Sequence, residues 1–277
     1  MKRFLLLLLC LAVFGCGQAD VAPVASPAPS DAPESIHIVQ ASTAPPATAQ
    51  PIPTDTPSPS PTPSPTPDPY RSEPLTVCEQ DAAFWYCAPN AALQGYITGM
   101  SFPEDPSDCP VAMDALRYIH LLYVDFDGVS HEGALLVHRN LADEVMDIFY
   151  QLYAAGYPLA SVRLVDDFGQ PFTDGLSMEA NNTSAFCCRR VTGKRYFSRH
   201  SYGYAIDVNP MMNPYIRPDG SFAPDNSAPY LDRSEIRTGM IDENDLCYRL
   251  FTAYGWGWGG HFKGEKDYQH FSKDPNA

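Results

Sequence analysis

The segment Ser198-Arg-His200-Ser-Tyr-Gly203-Tyr-Ala-Ile-Asp207-Val-Asn-Pro210 places an imidazole seven residues ahead of a carboxylate. Asp207 itself sits in an apolar run, Ala205-Ile206-Asp207-Val208. An ionised aspartate there costs on the order of several kcal/mol unless it is paired, hydrogen-bonded or bound to a metal. Zinc accepts imidazole nitrogen and carboxylate oxygen together, and a catalytic zinc site takes three protein ligands and keeps a fourth position for water. The competing reading has Asp207 salt-bridged to Arg199 or capping a turn. Near the C-terminus, Lys266-Asp267-Tyr-Gln-His270-Phe271 carries two more titratable groups three residues apart. In a strand or turn both reach one small site without competing for one coordination position. One can then hold a metal while the other takes a proton from the attacking water. The remaining histidines read as surface or core residues. His261, in the turn after Trp256-Gly-Trp-Gly-Gly260, either faces the cleft as a donor or lies exposed.

These residues need elements to hold them. Arg117 to Phe126 is rich in β-formers and ends at the turn pair Asp127-Gly128, and Ala134–His138 reads as a second strand. Asn140 is expected to cap a helix on which Leu141, Val145, Ile148, Phe149 and Leu152 recur at helical spacing, with Gly156 as its stop. Val162–Val165 reads as a strand, Ser177–Phe186 as a short helix and loop, and Tyr204–Val208 as a buried strand. A last helix spans about 243–254, with Leu246, Leu250 and Phe251 inward. Residues 256–271 read as two short strands around a polar turn. Residues 71–112 give no clear pattern. Strands and two separated helices without regular βαβ alternation predict an α+β fold, a small antiparallel sheet with flanking helices.

Taken together, Ser-x-His-x-x-Gly-x-Ala-x-Asp and Asp-x-x-His-Phe resemble the zinc peptidase family that includes D-alanyl-D-alanine carboxypeptidases. That family also contains vancomycin-resistance dipeptidases and phage L-alanyl-D-glutamate endopeptidases. The runs Ser177-Met-x-Ala-Asn-Asn-Thr-Ser-Ala-Phe186 and Trp256-Gly-Trp-Gly-Gly260 are similar to a bacterial branch of it, so the resemblance covers roughly 117–271. It implies the zinc D-Ala-D-Ala peptidase (hedgehog-like) fold with a zinc site at the sheet edge. It also implies one zinc ion on His200, Asp207 and His270, with Asp267 as general base and Ser198 helping to hold substrate. Many relatives carry an oxyanion-stabilising arginine just before the first motif, where this chain has Leu164-Val-Asp-Asp-Phe168; Arg189 or Arg163 is the candidate substitute. The implied substrate is the peptidoglycan stem peptide. Of the implied activities, D-alanyl-D-alanine carboxypeptidase is favoured over an L-Ala-D-Glu endopeptidase or a non-catalytic zinc-bound wall module.

The rest of the 277 residues says where such a domain would work. Met1-Lys-Arg and the apolar run Phe4–Phe14 form a secretory layout too short to span a bilayer. The run ends Gly15-Cys16, which resembles a lipobox; lipidation at Cys16 is expected, against a plain signal cut near Ala19. We therefore expect a signal peptide over 1–16, a Pro/Ser/Thr-rich disordered tether over 17–70 and the peptidase domain over 71–277. More than half of the 28 prolines fall between Pro23 and Pro69, and alternate prolines deny that stretch a hydrogen-bond ladder. The expected location is the cell-wall side of a membrane, held by the lipid anchor alone. A formal charge of −15 argues against binding nucleic acid or anionic lipid through a basic face. The expected state is a monomer. Six cysteines remain in the domain, and an even number in an exported chain suggests disulfides. Cys78 with Cys87, and Cys187 or Cys188 with Cys247, are the pairings considered.

Overall fold

A computed structural model describes residues 68–276. The 1–16 signal, Cys16 and nearly all of the 17–70 tether lie outside the described residues. The chain enters through β1 (Thr76–Val77) and β2 (Trp85–Cys87), then forms α1 (Ala91–Ile97), whose first turn is capped by Asn90 Oδ1 accepting from Leu93 N at 2.9 Å. A long hairpin follows, β3 (Leu116–Val124) and β4 (Ser130–His138), turning at Asp127-Gly128. The four strands lie antiparallel in the order β1-β2-β3-β4.

Both faces of this sheet are buried, and the period of two sorts its side chains. Ile119, Leu121, Tyr123, Leu135 and Val137 face one core, against Val145, Ile148, Phe149 and Leu152 of α2 (Ala142–Ala154). Leu116, Tyr118 and Leu136 face the other, with Trp85, Leu93, Ile97 and Phe186. Residues 71–112, opaque in sequence, thus build two strands of this sheet and the helix whose Leu93 and Ile97 cover its second face.

The apolar stripe of α2 is as predicted, but Asn140 is not its cap. It lies inside a 3₁₀ turn, Arg139–Leu141, whose cap is the His138 imidazole accepting from Asn140 N at 3.2 Å. The strand predicted at Val162–Val165 is cut to β5 (Ser161–Val162). A 3₁₀ turn takes over at Val165–Phe168, because Asp166 accepts from Ser101 N at 3.0 Å and Asp167 from Arg163 Nε at 2.9 Å. Next come α3 (Gly175–Glu179) and β6 (Asn182–Thr183), the latter parallel to β5. β7 (Ala205–Asp207), β8 (Tyr215–Ile216) and β9 (Phe222–Ala223) lead to α4 (Leu246–Ala253), which is capped by Asp245. On α4 Cys247 and Phe251 are fully buried, while Leu246 and Leu250 are half-buried. Three short strands close the chain: β10 (Gly257–Trp258), β11 (Lys266–Asp267) and β12 (His270–Ser272). They complete two antiparallel sheets, β10-β12-β7 and β11-β8-β9. Helices with small, mainly antiparallel sheets make this an α+β arrangement. No helix among the described residues is long and apolar enough to cross a membrane.

The disulfide pairings expected from sequence do not form. All six cysteines of the domain are free and buried. Cys78 belongs to the α2-facing core and Cys87 to the opposite one, so the sheet stands between them. Cys247 sits in the α2-facing core while Cys188 is in the other. Cys187 makes its backbone bond to the His200 carbonyl and its thiol, pushed well up by burial, stays unpaired.

Candidate active site

The first motif folds as a single 3₁₀ turn, Arg199–Tyr202, followed directly by β7. Ser198 caps it, its Oγ accepting from His200 N at 3.3 Å, and Gly203 ends it at φ +69°. A Cβ at Gly203 would stand 2.5 Å from His138 N, the atom that donates to the Gly203 carbonyl at 3.0 Å. Only glycine therefore lets the turn dock on the end of β4. The His200 ring is buried, with Nδ1 2.5 Å from the Ala185 carbonyl. A carbonyl only accepts, so Nδ1 carries the proton and Nε2 offers its lone pair to the cleft.

Asp207 and His270 are brought together by strand register. They are direct partners in the β7–β12 ladder, and the neighbouring pairs Ile206–Phe271 and Ala205–Ser272 fix that register. Phe271 is locked from below by stacking on Phe251 of α4, ring centroids 4.4 Å apart. His270 Nδ1 lies 2.9 Å from Asp207 Oδ1, and His200 Nε2 lies 3.2 Å from Asp207 Oδ2. The two imidazole nitrogens are 3.3 Å apart. One donor atom from each residue lies within 4.8 Å of the others. Among the described residues no lysine or arginine pairs with Asp207; Arg199 instead donates to Ser272 Oγ at 2.9 Å. That removes the salt-bridge alternative. Burial alone would raise the Asp207 carboxyl, but the two histidines hold it well below the usual carboxylate range. Burial would likewise lower His200, and the facing Asp207 raises it instead. Two imidazoles and one carboxylate converging from three directions are a donor set suited to zinc, so the residues present fit that ion.

Asp267 closes β11, opposite Tyr215 of β8. The Trp-Gly-Trp-Gly-Gly run grips it. A Cβ on Gly259 would lie 2.3 Å from the Asp267 carbonyl oxygen, Trp258 Nε1 donates to the Tyr268 carbonyl at 2.8 Å, and Lys266 Nζ donates to the Gly260 carbonyl at 2.8 Å. Asp267 Oδ1 is buried and has no hydrogen-bond partner. Burial pushes this carboxyl up to about 6, with the His270 ring opposing the rise. A buried acceptor without a donor is costly, and this one borders the same cleft as the three donor atoms.

The cleft is about 1150 Å³, and Ser198 and Arg189 both line it. Arg189 is held by Asp174, its Nε and Nη2 lying 3.0 and 2.5 Å from Oδ2. Burial works against the guanidinium, yet the ion pair raises its pKa further. Arg163 takes no part in the cleft lining; it bonds Asp167 and covers Phe168. His261 does not face the cleft either. Its Nε2 pairs with Glu243 at 2.9 Å, and its ring meets Trp258 edge-on. Several contributors were not foreseen from sequence: the Ala185 carbonyl, Asp174, the Gly259 cradle and Gln269, which is buried in the cleft wall with Oε1 unpartnered.

A His-Asp-His donor cluster that could hold a metal ion, beside the buried and unpartnered Oδ1 of Asp267 in an α+β domain, is an arrangement suited to metal-assisted hydrolysis. Residues 192–273 match the family model described as D-alanyl-D-alanine carboxypeptidase, and over that segment the resemblance to the zinc peptidases of that family is shown. The match supports a peptidase acting on peptidoglycan in general terms. The segment contains Ser198, His200, Asp207, Asp267 and His270, and stops short of Arg189. Neither the curated proteins nor the solved structures contain a match to this chain.

Proposed function

We propose that this protein is a zinc D-alanyl-D-alanine carboxypeptidase that trims peptidoglycan stem peptides. The observation that carries the reading is the meeting of His200 Nε2, Asp207 and His270 Nδ1 beside the unpartnered Oδ1 of Asp267. His200, Asp207 and His270 would hold the ion. When bound, zinc supplies Lewis acidity, polarising the scissile carbonyl and acidifying a water. Asp267 takes the proton of the attacking water and returns it to the leaving amine; a carboxyl raised to about 6 suits both transfers near neutral pH. Arg189, with Nε and Nη2 committed to Asp174, keeps Nη1 for the carbonyl oxygen as it gains charge. Ser198 lends its hydroxyl to the substrate while its oxygen caps the His200 turn.

Stem peptides carry free carboxylates, and the cleft lining includes Arg190, Arg199 and Arg217 besides Arg189. The lining is mixed, since Asp108, Asp174, Asp207, Glu265 and Asp267 line it too, so the arginines support the substrate class as local partners for those carboxylates and not as a basic field. We further propose export and lipidation at Cys16, with the domain acting on the wall as a monomer.

The test incubates the zinc-loaded chain and its Asp267→Ala variant with defined muropeptides, read by mass spectrometry. Loss of one terminal D-alanine from the pentapeptide, by the wild type only, is the expected result. Cleavage after L-alanine would replace the carboxypeptidase by an endopeptidase. Intact muropeptides with zinc bound would overturn catalysis in favour of a binding module.

A further inference from the structure

We infer that Cys109 and Cys188 are a disulfide-forming pair, oxidised by exchange with a small external disulfide. The two residues come from distant parts of the chain and meet at the cleft wall. Cys109 follows the 3₁₀ turn Pro106–Asp108, and Cys188 lies on the loop between β6 and the His200 turn, where it lines the cleft together with Asp108. Cys188 Sγ is 3.8 Å from the Asp108 carbonyl, the residue next to Cys109. Cys109 Sγ is 3.8 Å from the Ser201 carbonyl. The backbones are fixed close by: Cys188 N donates to the Ser101 carbonyl at 2.8 Å, and Ser201 Oγ takes part in bonds to the backbones of Cys187 and Arg189 on either side of Cys188. Both side chains belong to the same core, alongside Phe102 and Phe186.

The two thiols lie close enough that each shifts the other's protonation, lowering Cys109 below an ordinary thiol and raising Cys188. Either thiol can open the exchange, and its balance is the same in both orders. Of the other four, Cys78 turns to Gln80, Cys87 to the Tyr70 carbonyl and Cys247 lies in the α2-facing core, while Cys187, next in the chain to Cys188, has its backbone N–H on the His200 carbonyl. Opened by Cys109, the exchange balances as follows. The Cys109 thiolate attacks one sulfur of the external disulfide, forming a mixed disulfide and expelling one thiolate. Cys188 then gives up its proton and attacks Cys109 Sγ, expelling the second thiolate. One external disulfide is reduced to two thiols, and the two protein thiols become one bond. The bond ties the N-terminal part of the domain to the cleft wall one residue from Arg189.

The test uses the reduced full-length chain, folded and exposed to oxidised glutathione. The product is then denatured, alkylated with iodoacetamide, digested and mapped by mass spectrometry without reduction. The expected product joins the Cys109 peptide to the Cys187-Cys188 peptide, lighter by two hydrogens than the two separately. Fragmentation should place the bond on Cys188, with Cys78, Cys87 and Cys247 alkylated. A Cys109→Ser chain should yield no linked peptide. Recovery of Cys109 and Cys188 both alkylated from the oxidised wild-type chain, or a bond from Cys109 to any other cysteine, would overturn the pairing. The readout needs neither zinc nor turnover, so it stands apart from the proposed activity.

Discussion

Asp267 and His200 border one cleft but should fail in different ways when altered. Removing the Asp267 carboxylate leaves all three donor atoms in place, so Asp267→Ala should keep one zinc per chain while kcat falls roughly 10²–10⁴-fold, the usual worth of a general base. His200→Ala takes away a donor and should lose the metal itself, as read by equilibrium dialysis. Equal zinc retention by both variants would contradict the division of roles. These residues were legible in the sequence because imidazoles and carboxylates at short, unusual spacings stand out against an apolar run. The parts that were not legible are backbone groups and shapes. The Ala185 carbonyl that fixes the His200 tautomer is carried by a residue of no chemical distinction. His261 was open between a cleft donor and an exposed turn residue, and the structure leaves it exposed, paired with Glu243.

Among the elements, those with a pattern of their own could be read, the three-residue β7 within the expected 204–208 strand included, and those without one could not. β3 and α2 carry their own period, whereas the two-residue strands β8 and β11 exist only because distant segments pair. One of those pairings sets the height of Asp267, and Gly259 is what permits it. Gly259→Ala should push the β11 backbone away and lower kcat about a hundredfold, with zinc content unchanged, since misplacement by about an ångström can cost that much. The 3₁₀ turn Val165–Phe168 offers a separate test through pH. Burial raises Asp166 from 3.8 to about 6, so the folded state favours its protonated form. The penalty is absent below about pH 4, grows as pH rises through 6, and is then fully present. Asp166→Asn keeps an acceptor for Ser101 N and should stabilise the protein at pH 8 by at most about 3 kcal/mol, with the gain vanishing at pH 4. Denaturant melts at the two pH values check it; an equal effect at both would rule out the buried charge as the cause.

For the whole molecule, contacts with the fold begin slightly earlier than composition suggests. Asp68 Oδ2 accepts from Tyr118 Oη at 2.8 Å, the Pro69 carbonyl accepts from Asn90 Nδ2 at 3.0 Å, and Tyr70 packs on Tyr96 and Tyr118. A fragment starting at residue 68 should therefore melt higher than one starting at 71, by roughly 5 °C if about 2 kcal/mol of hydrogen bonding and stacking is lost. Proline content marks where a ladder cannot form, but it does not register that Asp68, Pro69 and Tyr70 dock on Tyr118, Asn90 and Tyr96. That docking also decides how the molecule bears load. Tension entering at Asp68 loads its hydrogen bond to Tyr118, in the middle of the four-stranded sheet, and then the packing of Tyr70 on its aromatic neighbours. The ladder that pairs Asp207 with His270 belongs to a different sheet and lies off that path. A pull on Asp68 should therefore load this aromatic clasp ahead of the ladder that carries two of the three donor residues.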